Sequence, residues 1–444
     1  MPASDLRCNA PAYMQHVERL YHAIGEQVQG LMWHQGGPVV AVQLENEYDR
    51  VGPDCGKEHI ARLKTLALQS GLEVPLYTVT GWPTLDIPAQ DVVPVSGAYA
   101  DGFWQGSATA LPPSGVFVFD TNRTIGEMGN VGGTPPSGHI DPHHYPFFSG
   151  RSRRWHASEL PSPPGDQYRR RLRYRADADR SGANLYGYYM YHGGTNPQGS
   201  RGYLNETQAT GYPNDVPQLG YDFHAPLGQY GQIRPSWGRL ATLHHFVAAY
   251  GATLATLPAT MPADATPDAA DREHLRVSLR ADQHGGFVFI NNHVRHHPLP
   301  AMTAHLRIEL ADGAVQLPPT EIASGQALIW PVGQRLGSAV LRYATAQPLT
   351  RLPAETVPVY VYIALDGIAP EFSFAAHSVQ RIDAPAAWTS HDGSVLTVRP
   401  LLSSTPVELL VIDSQGRPQR VVIITQAQAD AARRCICAVA SGWC

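Results

Sequence analysis

Charge is scarce in this chain. Only 16% of its 444 residues are Asp, Glu, Lys or Arg, and the formal net charge is -5. No global basic field is therefore present to attract nucleic acid or an anionic lipid surface. Long apolar runs are missing too, so nothing reads as a bilayer-spanning helix. The opening stretch MPASDLRCNAPAY carries no signal-peptide apolar core, which predicts either a cytoplasmic protein or a true start that lies elsewhere. Cysteines number five: Cys8, Cys55, Cys435, Cys437 and Cys444. Their odd count and scatter are poor evidence for a disulfide framework, and none has a convincing metal-ligand partner set. Histidine is frequent, but no HExxH motif occurs, and most of the histidines read as loop or surface positions.

Glycine (41) and proline (38) are abundant, which suits many loops between short buried strands. The length predicts more than one domain. Residues 10–32 read as a helix, with Tyr13, Val17, Leu20, Tyr21 and Ile24 at helical spacing. Gly36 and Gly37 close it, and PVVAVQL at 38–44 predicts a buried strand of a parallel sheet covered on both faces. A second helix is expected over 56–71, with Ile60, Leu63, Leu66 and Leu68 on its apolar side. Strands are expected at 74–80, at 91–97 (weakened by Pro94), at 145–149 and at 184–194. The segment 235–257 reads as a helix. Strand–helix alternation with polar residues at strand ends predicts an α/β fold, either a barrel or an open sheet. From 275 to 430 short apolar runs separated by turn signals read as all-β.

The sharpest chemical signal is AVQLENEY, residues 41–48. It puts Glu45, Asn46 and Glu47 where the predicted strand ends, and strand alternation places Glu45 and Glu47 on one face. A pair of surface glutamates beside a turn is the plain reading. Two chemistries fit a functional one: glycoside hydrolysis, or a divalent metal held for carbonyl or phosphate chemistry. A metal needs further carboxylates or histidines at other strand ends, and these are sparse. Sugar chemistry needs paired carboxyls and aromatic surface, which Tyr48, Tyr77, Trp82 and Tyr191 can supply. Trp82 suits a sugar-stacking ring or a packed residue at a barrel rim about equally.

Four stretches carry a specific resemblance: GGPVVAVQLENEY, PLYTVTGW, NLYGYYMYHGGTN and YDFHAPLGQYGQIR. Their order and spacing resemble the β-galactosidases of glycoside hydrolase family 35, from about residue 10 to 255. The resemblance implies an α/β fold of the (β/α)8 TIM-barrel type followed by an all-β region. It implies a retaining exo-glycosidase that releases terminal β-galactose and needs water but no cofactor. By the same resemblance Glu47 is the acid/base and Asn46 holds the sugar 2-hydroxyl. Glu45 is then a supporting or sugar-contacting residue, and Tyr191 and Tyr221 line the cavity. The expected division is a partial barrel at 1–257, a linker at 258–274, a β-rich region at 275–430 and an aberrant tail at 431–444. The expected partner is a galactoside or oligosaccharide, with no nucleic acid and no membrane. Such relatives are often secreted or periplasmic.

Two departures qualify the expectation. A retaining enzyme needs a second carboxylate roughly 5 Å from the first. The resemblance implies Glu-x-Gly-Gly-Gly-Met after the strand at 145–149, yet this chain has Gly150 and Arg151 there, and the next glutamate is Glu159. Two readings are open: a shift of reading frame over about 150–182, which suitable codons allow, or a genuine loop that forms a basic surface patch. Reading one nucleotide later turns the codons of Trp155, His156 and Ala157 into Gly-Met, and two CGG arginine codons into Gly-Gly. The second departure is length: about 37 residues precede the strand that corresponds to the family's fourth, so the first three strands are expected to be absent. A chain so altered is expected to hydrolyse nothing by the retaining route. A non-catalytic carbohydrate-binding remnant or a degenerate gene product is the alternative.

Overall fold

The computed structural model describes residues 5–48, 50–80, 88, 91–95, 113, 117–119, 145–153, 182–200, 202–205, 207–208, 217–222, 225–266, 268–294, 297–352 and 357–431. The chain forms two units. The first comprises Met1–Thr109, Asn122–Arg153 and Ala183–Tyr189, and the second Ala110–Thr121, Arg154–Gly182 and Met190–Cys444.

In the first unit, helix α1 (Pro11–Gln27) opens with proline at its first position, where a missing N–H breaks no helical bond. It stops short of the expected residue 32, because a turn over 28–30 leads into a short 3-10 turn at Trp33–Gln35. Val17 is its buried residue, whereas Leu20 and Ile24, expected on the apolar side, are exposed. Gly37 then passes so close to Leu31 that a Cβ would sit 2.1 Å from the Leu31 carbonyl oxygen, so no larger residue fits this turn.

Strand β1 (Val42–Tyr48) begins four residues later than the 38–44 reading. The apolar run before it closes the glycine turn instead. Val39 donates to the Leu31 carbonyl at 2.9 Å and accepts from the Trp33 amide at 2.8 Å, and Val40 is exposed. The polar cluster Glu45–Glu47 therefore lies inside the strand rather than beyond its end. Helix α2 (Gly56–Gln69) follows, then β2 (Leu76–Thr80) and β3 (Val93–Val95), all parallel in the order β1-β2-β3. Helix α2 buries Ile60, Leu63, Leu66 and Ala67. Leu68, expected inside, is exposed because Ala67 takes the inward position one turn after Leu63. Ile60, Leu63, Leu66, Leu44, Leu76 and Val92 form one apolar cluster beneath the sheet. Each such side chain fully removed from water contributes about 1.5–3 kcal/mol.

Strands β4 (Phe148–Arg153) and β5 (Leu185–Tyr189) form a second parallel pair. The β4 ladder slips between Ser149 and Ser152, so the extra residue falls at Gly150–Arg151. In the first unit the described parallel strands thus form a three-stranded and a two-stranded sheet, and no closed eight-stranded barrel is found among the described residues.

The second unit is mostly antiparallel. Its eight-stranded sheet runs from Ala259–Thr260 through Gly286–Asn291 and Ala327–Leu336 to the edge strand Ala387–Asp392. A five-stranded sheet holds Gln347–Leu352, Val359–Ala364, Pro418–Thr425, Val407–Asp413 and Val379–Asp383. Helix α3 (Pro235–Thr256) belongs with this unit: Phe246 meets Phe287 edge to face, ring centroids 5.2 Å apart. The all-β reading of 275–430 gives way at its end, where Gln426–Ala431 is helical. The tail beyond 431 lies outside the described residues.

Candidate active site

The site is built on an irregular strand. Val42 and Gln43 of β1 pair with Leu76 and Tyr77, but Asn46 then faces Val79 and Tyr48 faces Thr80. One extra residue enters β1 before Asn46 and another after it. Each bulge leaves backbone groups without ladder partners and re-aims the side chains beside it. Simple alternation therefore does not describe Glu45 and Glu47.

Side chains supply the missing partners, as buried backbone groups require. The Tyr21 hydroxyl donates to the Leu44 carbonyl at 3.0 Å. The Glu45 carbonyl accepts from Gln43 Nε2 at 2.9 Å and from Thr78 Oγ1 at 3.2 Å. Arg7 Nη2 donates to the Asn46 carbonyl at 2.7 Å, and the Asn46 amide donates to Glu45 Oε2 at 2.7 Å. Gln43 Nε2 also reaches Asn46 Oδ1 at 3.2 Å. The Asn46 side chain is exposed and so accessible to a ligand.

Glu45 is held on both oxygens. Arg7 Nε donates to Oε1 at 2.9 Å and Arg7 Nη2 to Oε2 at 3.3 Å. A planar guanidinium matches a carboxylate in this fork, and charge-assisted bonds are stronger than neutral ones. The Glu45 carboxylate is therefore tied to Arg7 and to the backbone of its own strand. Glu47 occupies the next odd position of β1, and its side chain lies outside the described residues, as does all of Trp82.

Arg7 comes from a segment that the cysteines pin down. Cys8 and Cys55 form a disulfide with Cα atoms 4.5 Å apart, a pairing for which the odd cysteine count was poor evidence. The parity argument failed because pairing needs only two cysteines brought together by the fold. A link across 47 residues restricts the unfolded chain by about 4 kcal/mol in the loop-entropy account. Tyr48 completes the anchor: its hydroxyl donates to the Arg7 carbonyl and receives the Gly56 amide, both at 2.9 Å. Burial, opposed by the Gly56 amide, pushes the Tyr48 phenol up to about 12. Burial, reinforced by the Glu45 charge, also raises Tyr13 and Tyr21. His59 of α2 is fully buried beside Tyr48 and Tyr13, with its Nδ1 3.0 Å from Asn9 Oδ1. Burial pulls it down to about 4, so it is neutral at ordinary pH.

Tyr191 and Tyr221 belong to the second unit. Strand Gly220–Tyr221 pairs with Gly194–Thr195, and the Leu227 amide donates to the Tyr191 carbonyl at 3.1 Å. Tyr191 packs beside His244, ring centroids 5.7 Å apart. Asp222 ties the neighbouring turn together. It accepts the Gln229 amide at 2.6 Å and pairs with Arg234 at 2.8 Å. Among the described residues no group of three His, Cys, Asp or Glu side chains converges to hold a metal ion.

Arg7, Tyr21 and the Cys8–Cys55 link escaped sequence reasoning. Arg7 is 38 positions from Glu45, and no local pattern joins them. The paired Cys8 and Cys55 were the one available signal.

Comparison with known proteins places this carboxylate-bearing strand among the glycosyl hydrolases. Residues 1–247 match the family described as glycosyl hydrolases family 35, which is more than half of the chain. The chain belongs to that family. Among curated proteins it is 28% identical to Beta-galactosidase 17 of Arabidopsis thaliana over 235 residues, covering 52% of this chain and 30% of that one. It is 26% identical to Beta-galactosidase 6 of Oryza sativa subsp. japonica, covering 55% and 24%. It is 27% identical to the Beta-galactosidase of Xanthomonas manihotis, covering 52% and 34%. The chain thus spans about a quarter to a third of the length of these relatives. Among solved structures, Gamma-CGTASE from Alkalophilic bacillus clarkii covers 85% of this chain at 10% identity with a TM-score of 0.30, too slight a likeness to assign a fold.

Proposed function

We propose that the chain carries the sugar-recognition half of a retaining β-galactosidase site, built on a fold of the (β/α)8-barrel type. Glu47 is its acid/base, and Asn46 holds the 2-hydroxyl of a terminal β-galactose. Trp82 is its proposed stacking ring, and Tyr191 and Tyr221 of the second unit are proposed as galactoside-contacting rings in their own right. The observation that carries this reading is the LENEY strand: a family 35 segment whose bulges sit on either side of an exposed Asn46. A group that protonates the leaving oxygen must later serve as base, so Glu47 has to hold a proton while its partner stays ionised.

That partner is what the chain lacks. Gly150 and Arg151 stand where the nucleophile is expected, and neither can form a glycosyl ester. The chain therefore binds galactosides without turning them over by the retaining route. Residues 154–181, most of the stretch for which a shifted reading frame is expected, lie outside the described residues.

The test is hydrolysis of a chromogenic β-galactoside by the purified chain. No turnover above buffer is expected, alongside measurable binding of galactose. Turnover that disappears in Glu47→Gln would overturn the loss of activity while leaving the acid/base assignment standing. Absence of galactose binding would count against the retained site.

A further inference from the structure

The groups around Cys8 and Cys55 form one continuous strap. Arg7 and Asp54 are the two non-glycine residues with positive φ among the described residues, at 60° and 59°. Each immediately precedes a cysteine of the disulfide. Side chains with a Cβ resist this left-handed conformation, so the surrounding contacts must hold both residues in it. Those contacts are specific. The Asn9 amide donates to the Asp54 carbonyl at 2.7 Å. Tyr48 bridges the Arg7 carbonyl and the Gly56 amide. The Arg7 guanidinium lies over the Tyr48 ring, its Cζ 5.3 Å from the centroid. From there it reaches both Glu45 oxygens and the Asn46 carbonyl, on residues at the first bulge of β1.

We propose that Arg7 is a positioning residue for the Glu45–Glu47 strand, and that the Cys8–Cys55 disulfide is a redox-sensitive latch that holds it in place. With the link closed, Arg7 keeps the bulge that presents Asn46. With the link open, residues 7 and 54 relax out of the left-handed region, Arg7 leaves Glu45, and the Asn46 carbonyl and Glu45 carboxylate lose their donor. The reductant is a dithiol. Its thiolate attacks Cys55 Sγ, since Cys55 is the less buried of the two residues. The mixed disulfide so formed is resolved by the second thiol. The protein takes up two electrons and two protons as two thiols, and the dithiol becomes a cyclic disulfide.

The sugar-affinity consequence rests on the function proposed above; the latch itself does not. Both are read on the full chain. Hydrogen exchange by mass spectrometry compares the oxidised protein, the protein reduced by dithiothreitol with thiols counted after alkylation, and the Arg7→Ala and Arg7→Lys variants. Exchange over 43–48 is expected to rise at least about tenfold on reduction and in Arg7→Ala. Arg7→Lys should restore part of the protection, and α2 peptides over 60–69 should stay unchanged. Unchanged exchange over 43–48 after confirmed reduction overturns the latch. So does an equal rise in α2, which would make the link a general staple. In parallel, affinity for isopropyl β-D-thiogalactoside is expected to weaken about tenfold on reduction. If the oxidised protein binds none, the sugar reading fails and the exchange result still decides the latch.

Discussion

Tyr48 holds Arg7 twice. Its hydroxyl donates to the Arg7 carbonyl at 2.9 Å, and its ring lies beneath the guanidinium, 5.3 Å from Cζ to the centroid. One aromatic residue at the end of the family segment thus fixes both the backbone and the side chain of a residue far away in sequence.

The hydroxyl can be removed without disturbing the ring. Tyr48→Phe leaves the Arg7 carbonyl and the Gly56 amide without their partner. Unsatisfied buried groups of this kind cost about 1–3 kcal/mol, so the first unit is expected to unfold at lower urea. A denaturation midpoint matching that of the unmodified protein would show that neither bond contributes.

His59 gives the first unit an acid limb. Its folded value of about 4 lies below the ordinary 6.5, so the unfolded chain binds the proton more tightly. The contribution is full above pH 6.5, falls as the pH drops toward 4, and levels off below that. The total is on the order of 3 kcal/mol. His59→Phe should flatten this limb relative to the unmodified protein. Parallel stability profiles for the two between pH 7 and pH 4 would remove the assignment.

The motif around Tyr191 has its own critical position. A Cβ on Gly193 would lie 2.6 Å from the Gln229 amide nitrogen and 2.7 Å from Asp222 Oδ2. Gly193→Ala is expected to push Asp222 from Gln229 and Arg234 and to cost roughly 1–3 kcal/mol. Gly194→Ala is the control, since its nearest neighbours are 3.9 Å away, and should change stability by under about 0.5 kcal/mol. Equal melting of the two variants would contradict this geometry.

Much of the first unit was legible as pattern. The apolar spacing of Ile60, Leu63 and Leu66 marks α2, and the run LYTVT marks β2. The polar run Glu45–Glu47 was legible as a candidate site, and the family match agrees with the segments that suggested it. The frame of β1 was not legible. Apolar residues at 38–41 look like a strand, yet backbone bonds to Leu31 and Trp33 use that segment for a turn. Pattern reports which residues prefer burial, and it cannot report which partner their backbone finds.

The sequence by itself determined the family, the LENEY segment and the absence of a carboxylate at Gly150 and Arg151, because these depend only on residue identity and order. Only the tertiary structure decided that Asn46 stands between two bulges, that Cys8 bonds Cys55, and that Arg7 grips Glu45. The physical reason is separation along the chain. Contacts between residues tens of positions apart form only when helix α2 and the sheet have packed and brought their ends together, and no local preference encodes that meeting.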